Sequence, residues 1–93
     1  MIKSFANLAT EEFWRTGKSR RVPANILNVA KRKLSMLDAA AHLIDLREPP
    51  GNRLETLRGD RKGQHSIRIN ERYRVCFVWK QGDAYEVEIV DYH

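Results

Sequence analysis

The stretch Ser66–Trp79, "SIRINERYRVCFVW", decides the fold. Its opening "SIRIN" alternates, with Ile67 and Ile69 on one face and Ser66, Arg68 and Asn70 on the other. That is the period of a half-buried strand. The closing "YRVCFVW" is apolar on both faces, as expected of a central strand. Only a tight turn fits near Asn70–Arg72, so the two strands pair antiparallel.

Working outward, "QGD" (81–83) makes a second hairpin turn, and "AYEVEIVDYH" (84–93) is the last strand. Upstream, "RLETLRG" (53–59) reads as a short strand leading into the turn "GDRKG" (59–63). Before it, Ile26, Ala30, Leu34, Leu37, Ala41 and Ile44 recur at spacings of three and four, one apolar stripe of a helix. Asn28, Lys31, Arg32, Ser35, Asp38, His42 and Asp45 fall on the opposite side. Pro23 suits the first turn of this helix, and "REPPGN" (47–52) cannot continue it. An earlier helix is capped by Asn7 or Thr10, holds Glu11 and Glu12 in its first turn and stops at Gly17. "MIKSF" (1–5) reads as a short first strand with Ile2 and Phe5 inward. The expected class is α+β: a short N-terminal strand and two helices packed on one face of a small, mostly antiparallel sheet, forming one domain over 1–93.

Composition narrows the function. A chain of 93 residues has room for one core. No apolar run approaches the roughly 18–20 residues of a membrane span, and the start lacks the apolar stretch of a signal peptide, so a cytosolic protein is expected. Cys76 is the sole cysteine and lies inside an apolar run, where a small buried thiol is expected rather than a nucleophile. His42, His65 and His93 show no metal-ligand spacing, so no metal or cofactor is expected. The formal charge is +5, and seven basic residues (Arg53, Arg58, Arg61, Lys62, Arg68, Arg72, Arg74) face three acids between Arg53 and Arg74. Guanidinium forks at that density suit phosphate contact, hence nucleic acid.

The chemistry-bearing residues share this region. Glu55 lies on the strand before the hairpin, Arg68 and Asn70 on its first arm, Arg74 at the start of the central strand, and His93 at the end of the last. Tyr73 and Tyr92 stand beside them. Antiparallel strand ends and starts separated by tight turns can converge at one edge. These are groups that can cleave RNA without a metal: a base for the 2′-hydroxyl, an acid for the leaving 5′-oxygen, and cations for the phosphorane. On the residues alone an ordinary role is favoured, with Glu55 as a cross-strand partner of an arginine and His93 as a solvated terminus.

The whole chain resembles the HigB toxins of the RelE/ParE superfamily of bacterial toxin–antitoxin systems, through "MIKSF", "RLETLRGDRKGQHSIRINERYRVCF" and "VDYH". The resemblance implies two helices on a small antiparallel sheet and a cytoplasmic, ribosome-dependent messenger-RNA endonuclease. It implies catalytic roles for Arg74, which matches the arginine at the start of the family's central strand, and for the terminal Tyr92 and His93. Arg58 falls where a relative has an active-site lysine. At Glu55 the best-studied type of HigB carries histidine, whereas YoeB-type relatives carry a glutamate assigned as general base. At Asn70 that HigB has arginine, whereas the YoeB-type arginine matches Arg68. The implied catalytic set is Glu55, Arg68, Arg74, Tyr92 and His93, with Arg53, Arg58, Arg61, Lys62, Asn70, Arg72 and Tyr73 on the RNA. Implied partners are messenger RNA in the ribosomal A site, ribosomal RNA and a HigA-type helix-turn-helix antitoxin, with operator DNA reached only through the antitoxin. A ParE-like gyrase inhibitor and a non-catalytic RNA-binding module are the competing readings.

Overall fold

The first helix, α1 (Leu8–Thr16), forms where its caps dictate. The Asn7 side chain accepts the Thr10 amide at 2.8 Å, and Gly17, at φ 75°, returns its own amide to the Phe13 carbonyl. Thr10 is not the cap: it is buried, and its hydroxyl accepts the Ile89 amide. These details come from a computed structural model that describes residues 1–91.

The second helix, α2 (Leu27–Ala39), follows a single 3-10 turn at Ala24–Ile26 and buries Ala30, Leu34 and Leu37. It ends earlier than the apolar stripe implies. Ala40 is extended, and the Asp45 carboxylate accepts the amides of Ala41 and His42, so these two begin a separate 3-10 segment, Leu43–Arg47. Ala41 and Ile44 are consequently exposed, and Leu46 takes the buried place instead. Asp38 is not a solvent residue either, because it accepts the Ile2 amide at 2.9 Å.

Four strands follow in sheet order: β1 (Glu55–Thr56), β2 (His65–Arg68), β3 (Tyr73–Lys80) and β4 (Asp83–Asp91), all antiparallel. The hairpin turn between β2 and β3 is fixed by Asn70, whose side-chain oxygen accepts the amides of Arg72 and Tyr73, both at 2.8 Å. The N-terminal segment is extended as expected, but it joins the sheet through two parallel bridges to β4, Ile2 with Ala84 and Phe5 with Val87. Between those bridges β4 carries a bulge, with Glu86 at φ 51°. The extra residue puts both Ala84 and Val87, three apart, on the core side.

Both helices cover one face of the sheet. Phe13, Ala30, Leu34 and Leu37 pack there with Ile67, Val75, Phe77 and Val87. The other face carries two cross-strand rows, Glu55–Ser66–Cys76–Glu88 and Arg68–Arg74–Val90. Cys76 is fully buried on that face, and burial pushes its thiol up, away from the reactive thiolate. No helix among the described residues is long and apolar enough to cross a membrane.

A buried polar clamp joins α2 to the Pro50–Asn52 turn. Lys33, on the rim of α2, donates to the side-chain oxygen of Asn52, a residue with no exposed surface. The Asn52 amide nitrogen donates in turn to the carbonyls of Leu46 and Glu48, each at 3.2 Å. Burial, with a smaller contribution from Arg32, lowers the Lys33 pKa.

Candidate active site

The helix-free face of β1–β3 opens into a cleft of about 440 Å³ lined by Arg53, Glu55, Arg68, Asn70, Glu71 and Arg74. The strand register explains the gathering. Arg68 and Arg74 are direct Cα partners across β2 and β3, and Glu55 sits one row away opposite Ser66. Two guanidiniums facing each other across a ladder repel. The fold fixes Arg74 on hydrogen-bond acceptors of its own.

Arg74 is buried, with its side chain 10% exposed. Its Nε donates to Ser66 Oγ at 2.8 Å and one Nη2 proton to the Arg53 carbonyl at 2.7 Å. The same Nη2 lies 4.0 Å from Glu55 Oε1, while the Glu55 side chain is 53% exposed. This ion pair is loose, so the carboxylate keeps lone pairs for a substrate hydroxyl. The Arg68 guanidinium has no hydrogen bond or ion pair among the described residues and is half-buried in the same cleft. One fixed and one free guanidinium around a carboxylate form a socket for a phosphodiester beside a base.

Arg53 holds its carbonyl toward Arg74 by adopting a left-handed conformation, φ 45° and ψ 57°. A non-glycine residue in that region is strained by about 1 kcal/mol or more. The surrounding turn overrides the strain: the amides of Asn52 and Arg53 donate to the carbonyls of Pro49 and Pro50.

The remaining candidates separate. Asn70 lines the cleft while its side-chain oxygen is occupied by the turn. Arg72 stacks over the Tyr73 ring at 5.7 Å and forms a fork–fork pair with Asp91, with contacts of 2.8 and 3.0 Å. The Asp91 partner raises the Arg72 pKa. Arg61 bonds Glu88 at 2.9 Å and Gln64 at 3.1 Å, on the row that leads away from the cleft. Arg58 and Lys62 flank the Gly59–Arg61 turn and are exposed. Tyr92 and His93 lie outside the described residues. Sequence reasoning missed Glu71, whose only signal was its place in the hairpin turn between Asn70 and Arg72. Among the described residues no group of His, Cys, Asp or Glu could hold a metal.

Comparisons with known proteins bear on the family and the fold. The family model for the RelE-like toxin of the type II toxin–antitoxin system HigB matches residues 3–93. Toxin HigB-1 of Vibrio cholerae is 46% identical over 85 residues, 90% of each chain. Endoribonuclease HigB of Proteus vulgaris is 32% identical over 93 residues, the full length of both. In fold the chain is similar to the YoeB–YefM complex from Staphylococcus aureus, with a TM-score of 0.61 at 16% identity, covering 100% of this chain and 98% of that one. Two helices on a four-stranded antiparallel sheet, an arginine-flanked carboxylate and these matches lead to one assignment: the chain belongs to the RelE-like HigB toxins of type II toxin–antitoxin systems.

Proposed function

We propose that this toxin is an endoribonuclease that cleaves messenger RNA on the ribosome, using the cleft between β1 and β3. The observation that carries the reading is the convergence of a half-exposed Glu55, a fixed Arg74 and a free Arg68 on one open cleft. A full-length relative named as an endoribonuclease supports it.

In this reading Arg68 and Arg74 clamp the scissile phosphate. Glu55 takes the proton of the adjacent 2′-hydroxyl as its oxygen attacks phosphorus. The P–O5′ bond breaks, leaving a 2′,3′-cyclic phosphate, and the 5′-oxygen takes a proton from a general acid. His93 is that acid, with Tyr92 beside it, by the family resemblance. No step requires a cofactor. Arg53, Arg58, Lys62 and the Arg72–Tyr73 stack steer flanking nucleotides and ribosomal RNA, where guanidiniums and ring faces hold phosphates and unpaired bases. A HigA-type antitoxin neutralises the toxin and carries it to operator DNA. Relatives found in toxin–antitoxin complexes support such a partner.

Primer-extension mapping of translated messages after induction tests the proposal. Wild type gives new 5′ ends within coding regions, and Glu55→Gln, Arg68→Ala and His93→Gln give few or none. Intact messages together with gyrase poisoning would overturn it, as would undiminished cutting by all three variants.

A further inference from the structure

We propose that Asn52, locked by Lys33, is a positioning residue for Arg74, so that a buried clamp outside the cleft sets the orientation of the phosphate-binding guanidinium. The inference rests on the proposed nuclease reading and extends it to residues that touch no substrate.

The connection is continuous. Lys33 sits on α2 and is only 7% exposed. Its ammonium donates to the Asn52 side-chain oxygen, 19 positions along the chain. The Asn52 amide nitrogen gathers the Leu46 and Glu48 carbonyls, which ties the Leu43–Arg47 segment to the prolyl turn. The residue that follows is Arg53, whose strained left-handed backbone presents the carbonyl that Arg74 Nη2 binds at 2.7 Å. Without the clamp only the backbone bonds of Asn52 and Arg53 to the Pro49 and Pro50 carbonyls oppose the strain, and Arg53 shifts toward an ordinary backbone conformation that turns this carbonyl. Arg74 would then keep one hydrogen bond, through Nε to Ser66, about which the guanidinium plane can swing, and its loose contact with Glu55.

The choice of residues fits this role better than simple core filling. A buried lysine carries a desolvation cost that an apolar side chain would avoid. Asparagine in turn supplies an acceptor for the lysine and two donors for the carbonyls, and every buried side-chain polar atom among the described residues is satisfied. Such fully satisfied polar networks fix one geometry where an apolar cluster allows several.

The test combines single-turnover cleavage of ribosome-bound message with the NMR signal of the Arg74 Nη2 protons, which report the bond to the Arg53 carbonyl. Asn52→Ala is expected to lower the saturated cleavage rate about 10-fold or more, the scale set by small misplacements of a catalytic group. Its KM stays within about 2-fold, and the Nη2–H signal loses protection from exchange while the Nε–H bonded to Ser66 keeps its own. Lys33→Met removes the lysine bond but leaves Asn52 its two carbonyls, and is expected to lower the rate less, in the same direction. In an Arg74→Lys background either change adds less than about 2-fold, because the group it positions is gone. The same factor in both backgrounds overturns the inference, as does a protected Nη2–H with an unchanged rate in Lys33→Met. If Glu55→Gln and Arg74→Lys themselves cleave at the wild-type rate, the nuclease reading fails and takes the inference with it. If those two are impaired while Asn52→Ala and Lys33→Met are not, only the inference fails.

Discussion

Replacing Glu55 by glutamine separates stability from chemistry, because the structure predicts very different sizes for the two effects. The carboxylate is 4.0 Å from Arg74 Nη2 and 53% exposed. A pair at that distance is worth about 4 kcal/mol at an effective dielectric of 20. Solvent screening of a half-exposed partner reduces this to under about 1 kcal/mol. Arg74 is not stranded by the change, since it keeps Ser66 Oγ and the Arg53 carbonyl. The urea midpoint should therefore move little. Removing a general base costs about 10²–10⁴ in rate, or roughly 2.7–5.5 kcal/mol of barrier at 1.36 kcal/mol per decade. The assay is single-turnover cleavage of ribosome-bound message by folded protein, beside a denaturation curve of the same preparation. A rate within about 5-fold of wild type is too small for a lost base and would refute the role. A large rate loss accompanied by an equally large loss of stability would refute it too, since Glu55 would then be a structural anion.

Three further outcomes follow from the packing and the titratable groups. Leu34 is fully buried between α2 and the sheet, so Leu34→Ala should destabilise by about 2–5 kcal/mol in urea unfolding. Glu86 is exposed at φ 51°, so Glu86→Gly should raise stability by a few tenths to about 1 kcal/mol, whereas a change to a β-branched residue should lower it. Burial lowers the His65 pKa below its usual 6.5. The unfolded chain therefore binds the proton more readily, and stability is lost as pH falls through 6.5 toward the folded value. Unfolding midpoints at about pH 7.5 and about pH 5.5 should differ less in His65→Gln than in wild type. An unchanged difference would place the titrating group elsewhere.

Much of this architecture was legible because local signals and tertiary packing agree. Ile67 and Ile69 alternate and are buried, Asn70 makes its turn with its own side chain, and Asn7 and Gly17 bracket α1. The end of α2 was not legible. Ala39, Ala40 and Ala41 carry no break signal, and the helix stops because Asp45 captures amides from downstream. The bulge at Glu86 was hidden for a similar reason: no glycine marks it, and it is forced by pairing with the N-terminal segment and β3. In the site, Glu55, Arg68 and Arg74 could be placed on strands, but their row positions depend on register, which a hairpin sequence only partly fixes. Ser66 shares the face of Arg68, as the alternation implies, but its full burial there, where it accepts the Arg74 Nε proton, was not legible. The Lys33–Asn52 clamp left no trace in periodicity, since its members are joined only in three dimensions.

The parallel bridges of Ile2 and Phe5 to β4 also join the two ends of the described chain, which sets an order on the completion of the sheet during synthesis. Segment 1–6 waits for a partner about eighty positions later, and the Ile2 amide needs Asp38 of α2 in the interval. The last strand has to be available before that sheet edge can close. A nascent chain short of β4 also lacks the neighbour that makes β3 a central strand, and Arg74 lies at the start of β3. The first residues made thus take their place in the sheet only after the last strand has been made.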